Sequence, residues 1–562
     1  MRAFFRGSWF APMLLVLAML CCLPWPHAHA DAAGDRRLVN PRELHDEIHV
    51  APGTETAVKD YFPSFLEYQD LVMFHPKFGY YASGRVSFTT DYQTFPNVLA
   101  PYFGQMIAQQ MFRMWRGMRQ AGTLGPREAF TVAEFGAGNG SLAESILDYL
   151  DQQAKDSPDP SWREFAAQVF YICYDRSPAL SKKQRERNSR FGKRFEAREA
   201  DATDPTATIP PDTQKGVVLS NELPDAFSVH KIILSADGSA EVAFVAASLF
   251  QKTWERLKKD VPAPVAETVE QGDRAIKSRF FPGKQDHTYL TRAAFVALLE
   301  ALVPSKDYVS AAQSLEFSEL YVPAHVIPEL AEHLRRYARF YATELAKDER
   351  GVVTYINLGL EKYIQGAGRI LQAGFVITLD YGSNWEGMIA QDAHPHFRTY
   401  GPAHQEENRQ SDLAVDDTTS APDLDTSDPY RGPTLNDMTT DVNFSLAAAE
   451  GRLAGLTTAY FGPQAGLQTG TSITLPEPPA DPQQSDAHTS EFYTWARNFH
   501  TDGNYKLMVQ QKASTGAFYT YPNENSERLA SDQTSLTEPQ RQKAAQIEKK
   551  LSTLATAGRK SQ

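Results

Sequence analysis

Short apolar runs alternate with amphipathic stretches through the middle of this chain, and most runs stop at a glycine or an acid. Phe130-Thr-Val-Ala-Glu134 leads into a glycine cluster. Ser141 to Leu150 follows, with Leu142, Ile146, Leu147 and Leu150 on one helical face. Val169-Phe-Tyr-Ile-Cys-Tyr174 is continuously apolar and stops at Asp175; the charged segment Pro178 to Arg190 behind it predicts a helix. Arg194 to Arg198 predicts a short strand. Gly216-Val-Val-Leu-Ser220 and Gly374-Phe-Val-Ile-Thr-Leu379 predict two more buried ones. Buried strands separated by helical segments predict an α/β fold, a parallel sheet with helices on both faces. Lys231-Ile-Ile-Leu234 and Glu241-Val-Ala-Phe244, split by Asp237-Gly238, predict a hairpin. Pro262 to Ala346 is richer in helical pattern, clearest over Pro328 to Leu345, and reads as a helical insertion within the same domain.

The two ends read differently. Residues 1–30 have the form of a secretory signal peptide: Arg2 and Arg6, an apolar core through Leu14 to Leu20, then Pro24, Pro26 and the small-x-small triplet Ala28-His29-Ala30. Cleavage would leave Asp31 first and export the chain to the periplasm or beyond. The alternative is a membrane anchor left uncleaved. The core is shorter than the ~20 residues a spanning helix requires, so no stable span is expected after removal of the signal. Residues 31–60 read as a linker, 61–515 as the folded domain and 516–562 as a polar tail with one exposed helix over Ala544 to Leu554. Gln405 to Arg431 is an expanded polar loop, rich in Asp, Ser and Thr, expected to be disordered like the tail.

Charge narrows the partners. With 56 basic and 69 acidic residues the chain carries −13, which argues against nucleic acid as the main partner. Cys21 and Cys22 would leave with the signal, so only Cys173 remains; neither an internal disulfide nor a cysteine metal cluster can form. His75, His230, His394 and His396 show no ligand spacing, and no metal is expected.

Candidate chemistry sits at the strand ends, where open parallel sheets bind ligands. Glu134-Phe-Gly136-Ala137-Gly138-Asn-Gly140 lets the backbone pass close to a ligand and begins a helix with its amides facing inward. The spacing is G-x-G-x-G; the dinucleotide fingerprint needs glycine or alanine where this chain has Ser141. Asp175, closing the next strand, can accept two ribose hydroxyls. Together the loop and this acid favour S-adenosylmethionine over NAD. Asn221-Glu222-Leu-Pro-Asp225-Ala226, directly after a strand, places an amide and carboxylates beside that ligand, and Asp201 can approach an adenine amine.

In order, these segments resemble the MidA-type class I S-adenosylmethionine-dependent methyltransferases, whose mitochondrial relative is the arginine methyltransferase assisting complex I assembly. Phe74-His75-Pro76 with Gly79-Tyr80-Tyr81 is similar to the family's Leu-Tyr-x-Pro-x-x-Gly-Tyr-Tyr signature, and Asp91 to Pro96 to its Asp-Phe-x-Thr-Ser-Pro segment. Glu134 to Gly140, Ser177 to Leu180, Asn221 to Ala226, Asp380-Tyr381-Gly382, Asp437 to Phe444 and Lys506 to Gln510 follow in the family's order. The resemblance implies a Rossmann-like sheet and transfer of a methyl group to a protein side chain, with an arginine nitrogen as one candidate. It implies cofactor contacts from Glu134, Gly136, Ala137, Gly138, Gly140, Asp175 and Asp201, and acceptor handling by Asn221, Glu222 and Asp91. Phe95, Asn97, Ser228 and Asp441 depart from the family's usual Ser, Glu, Pro and His. These departures cluster on the acceptor side, so a degenerate fold serving as a binding or assembly protein is the second reading. A dinucleotide oxidoreductase is the third.

Overall fold

The computed structural model describes residues 47–50, 53–81, 94–347, 351–389, 396–400, 428–430, 432–477, 487–513, 519–523, 526–529 and 535–557. The signal segment, Asp91, His394 and nearly all of the loop 405–431 lie outside the described residues. In chain order the strands begin with β1 (Glu47–His49), β2 (Phe130–Phe135), β3 (Val169–Asp175), β4 (Phe195–Glu199), β5 (Gln214–Asn221), β6 (His230–Leu234), β7 (Ala240–Phe250) and β8 (His287–Leu290). They continue with β9 (Glu316–Pro323), β10 (Val352–Ile356), β11 (Leu371–Ser383), β12 (Phe397–Tyr400), β13 (Asp437–Thr440), β14 (Val442–Asn443), β15 (Thr457–Pro463) and β16 (Tyr505–Lys512).

One sheet has the order β4-β3-β2-β5-β11-β16-β15, with β14 beside the end of β11. β4 through β11 run parallel, and β16 and β15 return antiparallel. The chain steps outward from β2 to β3 and β4, then resumes on the other side at β5 and β11. The order therefore reverses between β2 and β5, and the crevice outside their carboxyl ends is where such sheets take ligands. Both faces are covered. Ala133, Ile172, Val218 and Val376 enter one core while Val132, Tyr171, Val217 and Phe375 enter the other. This explains why the strands read as continuous apolar runs. The helix Ser141–Asp156 forms as its apolar face predicts, one turn and a half longer, with Gly140 at its start. The helix Tyr102–Gln120, which the pattern reading passes over, buries Phe103, Met106, Met111, Met114, Trp115 and Met118 on the same side.

A second sheet, β1-β9-β7-β6-β10 with β8 on β7, stands where an insertion of helices was expected. The hairpin is present as β6 and β7, but it belongs to this sheet. The insertion 262–346, richer in helix as its pattern predicts, also supplies β8 and β9. β9 carries Glu319 at a fully buried position, which breaks its apolar pattern. Glu319 accepts hydrogen bonds from Lys231 Nζ (2.7 and 2.9 Å), Tyr321 Oη (2.7 Å) and Tyr430 Oη (2.7 Å). Pro328 to Leu345 is two helices, Pro328–Arg336 and Ala338–Lys347, broken at Tyr337, whose hydroxyl is held by Glu450.

The polar tail also needs correction. Its helix, Glu538–Ala557, places Ile547 and Leu551 in the core against the helices 328–336 and 338–347. Tyr519 and Tyr521 are buried beyond the expected boundary at 515, donating to Gln110 Oε1 (3.1 Å) and the Gly466 carbonyl (2.9 Å). Two apolar residues one helical turn apart suffice to dock a helix whose other faces are wet, and average polarity hides them. Among the described residues no helix is long and apolar enough to cross a membrane.

Candidate active site

A cavity of about 770 Å³ opens at the carboxyl ends of β2, β3, β5 and β11, roofed by β13, the second sheet and the segment around Thr94. Its floor begins with the glycine loop. Gly136, Gly138 and Gly140 have φ of 72°, 53° and 78°, a left-handed backbone that side chains disfavour. A Cβ on Gly136 would stand 2.7 Å from Leu223 Cδ1, so that position is closed to any other residue without movement. Gln184 Nε2 and Asn188 Nδ2 donate to the Gly138 and Gly140 carbonyls at 2.9 and 3.0 Å and hold the loop open from behind. Ser141 Oγ donates to Asn97 Oδ1 at 2.5 Å, so the departure at Asn97 ties the N-terminal segment to this loop.

Glu134, at the end of β2, is buried and accepts from Tyr171 Oη (2.9 Å) and Cys173 Sγ (3.5 Å). Burial pushes its carboxyl up to about 7 against those bonds. Asp175 closes β3. Its Oδ1 accepts from the Ser177 amide (2.9 Å) and its Oδ2 from Gln184 Nε2 (3.3 Å), while burial pushes it to about 6. Ala137 lines the cavity beside them. Asp201 lies on the rim, partly exposed, and spends Oδ1 on the amide and hydroxyl of Thr203, both at 2.8 Å. The loop, Asp175 and Asp201 thus share one side of the cavity.

Carboxyl groups gather on the other side. Glu222 follows β5 with φ of 48°, strained for a residue with a side chain, and its amide donates to the Leu379 carbonyl at 2.8 Å. Asn221 Nδ2 donates to Glu222 Oε1 at 3.1 Å. Asp225 is buried in the next turn, and its amide donates to Asp380 Oδ2 at 3.2 Å. Asp380, at the end of β11, is fully buried and also accepts from the Tyr381 amide (2.8 Å). Asp437, on β13, accepts from Tyr81 Oη (2.9 Å) and the Met438 amide (2.8 Å) on one oxygen. Burial and mutual repulsion push Glu222 to about 8 and Asp225 to about 7, and raise Asp380 well above the carboxyl range; burial takes Asp437 to about 7. Asp441 is the exception. Arg398 Nη2 (2.5 Å) and His396 Nδ1 (2.9 Å) hold it low, so the departure at Asp441 forms an ion pair.

Phe95, the other departure, builds an aromatic wall with Trp495 (ring centroids 4.7 Å apart) and Tyr505 (4.4 Å), and Tyr381 packs on Tyr505 at 3.5 Å. Of the residues the sequence singles out, Glu134, Gly136, Ala137, Gly138, Asp175, Asp201, Asn221 and Glu222 line this cavity, while Gly140 sits behind it against Gln184 and Asn188. Sequence reasoning placed Asp225 beside the ligand without a role of its own and gave none to Asp380 or Asp437, although all three were within recognised segments.

Comparison with known proteins decides the chemistry. A family model described as "Putative S-adenosyl-L-methionine-dependent methyltransferase" matches residues 106–462. The chain belongs to this family, the MidA type. Two solved structures from Burkholderia thailandensis share the methyltransferase's fold at 18% identity. The native structure of an uncharacterized superfamily protein has a TM-score of 0.52 and covers 84% of this chain and 93% of its own. A superfamily member crystallised with S-adenosyl-homocysteine has a TM-score of 0.50 and covers 84% and 94%. No curated protein matches the methyltransferase.

The methyl donor of this methyltransferase is S-adenosylmethionine, and the residues present fit it. Gly136 and Gly138 bring bare backbone to the cavity, while the Gly136 and Gly140 amides are spent on the Tyr174 and Ala137 carbonyls, both at 2.9 Å. Buried carboxyls at the ends of β2 and β3 supply acceptors for the polar groups of a ligand that also carries a cationic sulfonium.

Proposed function

We propose that this methyltransferase acts on a protein side chain and that the acceptor is a protonated nitrogen, best an arginine guanidinium. The observation that carries this reading is the gathering of half-buried Glu222 with buried Asp225, Asp380 and Asp437, all with raised proton affinity. Arg398, behind that side, pairs with Asp441, and of the cations lining the cavity Arg176 pairs with Asp70 and Lys362 with Glu329. A planar cation bearing several N–H donors relieves both the repulsion and the desolvation, and charge-assisted bonds to carboxylates are the strong kind.

Bound S-adenosylmethionine supplies an activated methyl group. The chain's own task is then alignment, since an in-line displacement gains most from holding nucleophile and methyl in a dry pocket. Glu134, Gly136, Ala137, Gly138 and Gly140 hold the methionine and ribose side, Asp175 takes the ribose hydroxyls, and Asp201 faces the adenine amine. Asn221 steadies Glu222, and Glu222 localises the acceptor. The family resemblance also assigns acceptor handling to Asp91, which lies outside the described residues. Export behind Ala30 belongs to the same proposal, and places the acceptor among envelope or secreted proteins.

The test is methyl transfer from radiolabelled S-adenosylmethionine into periplasmic and membrane extracts, with acid hydrolysis to locate the label. Label on arginine is expected. Glu222→Gln lowers turnover about 10²–10³-fold, the scale for loss of one preorganised electrostatic partner, with cofactor affinity unchanged within a few-fold. Equal transfer by both proteins removes Glu222 from the acceptor site. No transfer by the wild type into any pool favours the binding-protein reading.

A further inference from the structure

We propose that Asp225 is the group that takes the proton released when the acceptor nitrogen gains its methyl. This rests on the reading of the acceptor as a protonated side-chain nitrogen. Three carboxyls line this side of the cavity with Asp380 behind them, and their oxygens are not equally engaged. Glu222 Oε1 takes the Asn221 amide, Asp437 Oδ1 takes Tyr81 and Met438, and Asp380 spends both oxygens on backbone amides without reaching the cavity. Asp225 is 4% exposed, lines the cavity, and keeps Oδ1 with no hydrogen-bond partner in the protein. A buried carboxyl oxygen left without a donor is costly unless a ligand supplies one.

Its surroundings repeat the pattern. Ser228 Oγ and His230 Nδ1 at the start of the second sheet, and Thr439 Oγ1 on β13, also line the cavity and lack partners. The departure at Ser228 therefore adds a polar group to the acceptor side. The groups facing Asp225 are Glu222 from its own loop, Asp380 and Tyr381 from β11, Arg398 and Tyr400 from β12, and Asp437 and Asp441 from β13 and the residue after it. Burial and then the Asp437 charge push Asp225 to about 7, with Arg398 opposing. A base near the working pH is the most effective kind.

Charge and bonds balance through the step. Beforehand the sulfonium and the guanidinium carry two positive charges, matched by ionised Glu222 and Asp225. The acceptor N–C bond forms and the S–CH₃ bond breaks, leaving its electron pair on sulfur. The N–H proton passes to Asp225. Afterwards the thioether and Asp225 are neutral, and the methylated cation remains paired with Glu222. The site is neutral at both ends of the reaction, so no uncompensated charge is buried.

The experiment uses two probes, a glycine-rich peptide carrying arginine and its lysine counterpart, on the full chain and on Asp225→Asn and Glu222→Gln. Titration calorimetry at pH 7 in buffers of different ionisation enthalpy reads the protons released when a peptide binds the cofactor-loaded protein. The wild type releases protons, because a cation ionises Asp225; Asp225→Asn loses half or more of that release. Turnover against pH gives the second reading: an acidic limb near 7 in the wild type, kept by Glu222→Gln and lost by Asp225→Asn, whose kcat falls about 10²–10⁴-fold while KM moves less than fivefold. Asn keeps the shape and removes a repelled charge, and unchanged cofactor affinity confirms the fold. Equal proton release by wild type and Asp225→Asn, a limb retained in Asp225→Asn, or binding of neither peptide at millimolar concentration overturns the proposal. If the lysine peptide alone binds and shows the Asp225 effects, the guanidinium reading fails and the role of Asp225 stands.

Discussion

Replacing Asp437 with asparagine changes stability in a way that depends on pH, and the sign follows from the site. In the folded protein burial holds the Asp437 carboxyl at about 7, well above its ordinary value of 3.8, although Tyr81 and the Met438 amide favour the ionised form. The folded state therefore binds the proton more tightly than the unfolded chain, and stability falls as pH rises between those two values. Each tenfold difference in proton affinity is worth roughly 1.4 kcal/mol, so the full window corresponds to about 4 kcal/mol. About 1.6 kcal/mol of that has already been lost at pH 5. Asparagine has no proton to lose, and its oxygen still accepts from Tyr81 and Met438. The advantage of Asp437→Asn over wild type should thus grow by about 2–3 kcal/mol from pH 5 to pH 8. Removing this charge also eases ionisation of Asp225, which acts in the same direction. His230, held neutral by burial at about 3, works the other way and costs stability below its ordinary 6.5; it is common to both proteins and cancels in the difference. Urea unfolding followed by tryptophan fluorescence at pH 5, 6, 7 and 8 reads the quantity. A difference constant across that range, or one shrinking with pH, would refute the account of a carboxyl held protonated by burial.

Other substitutions test the remaining parts. Asp175→Ala should weaken S-adenosylmethionine binding at least tenfold by calorimetry, since one bond to a charged group contributes roughly 1.5–3 kcal/mol; unchanged affinity would remove it from the ribose site. Gly136→Ala forces a positive φ on alanine and a 2.7 Å approach to Leu223, so it should lower stability by about 2–4 kcal/mol and cofactor affinity with it. Leu551→Ala should cost about 2–4 kcal/mol in chemical unfolding if the last helix is docked, and near zero if that helix is a free tail. N-terminal sequencing of protein recovered from expressing cells should begin at Asp31, and an intact Met1 on soluble cytosolic protein would contradict export.

The cofactor side was legible because its signals are local. A strand, three glycines with positive φ and a helix start occupy consecutive positions, and the acid at the end of β3 closes one apolar run. The acceptor side was not, because its carboxyls come from separate parts of the chain: Asp225 meets Asp380 across 155 positions, and Asp437 arrives on a short hairpin beyond them. No periodicity links such residues. A signal existed all the same, since Asp175 and Asp380 each close or nearly close a buried parallel strand. The rest of the second sheet was hidden in part by Glu319 on β9, which sits buried and paired with Lys231 where a pattern search expects an apolar side chain. The docked last helix was hidden by averaging, for it offers only Ile547 and Leu551 to the core.

The position of the second sheet in the chain has a functional logic. β5 and β11 are parallel neighbours, so the chain must leave at the carboxyl end of β5 and return to the opposite end of the sheet before β11 begins. The helix Leu358–Ile370 makes that crossing. Everything inserted between Glu222 and that helix therefore starts on the ligand side. Phe227, Ser228, His230, Phe244 and Ile327 all reach the cavity from this insertion, whereas the loop from Glu134 to Gly140 comes from the strand next to it. Acceptor walls and cofactor floor are thus built from different stretches of sequence that touch along Leu223 against Gly136. Substitutions in the insertion can reshape what is methylated without disturbing what supplies the methyl. That separation is consistent with an intact glycine loop beside an acceptor side that has changed at Ser228 and Asp441.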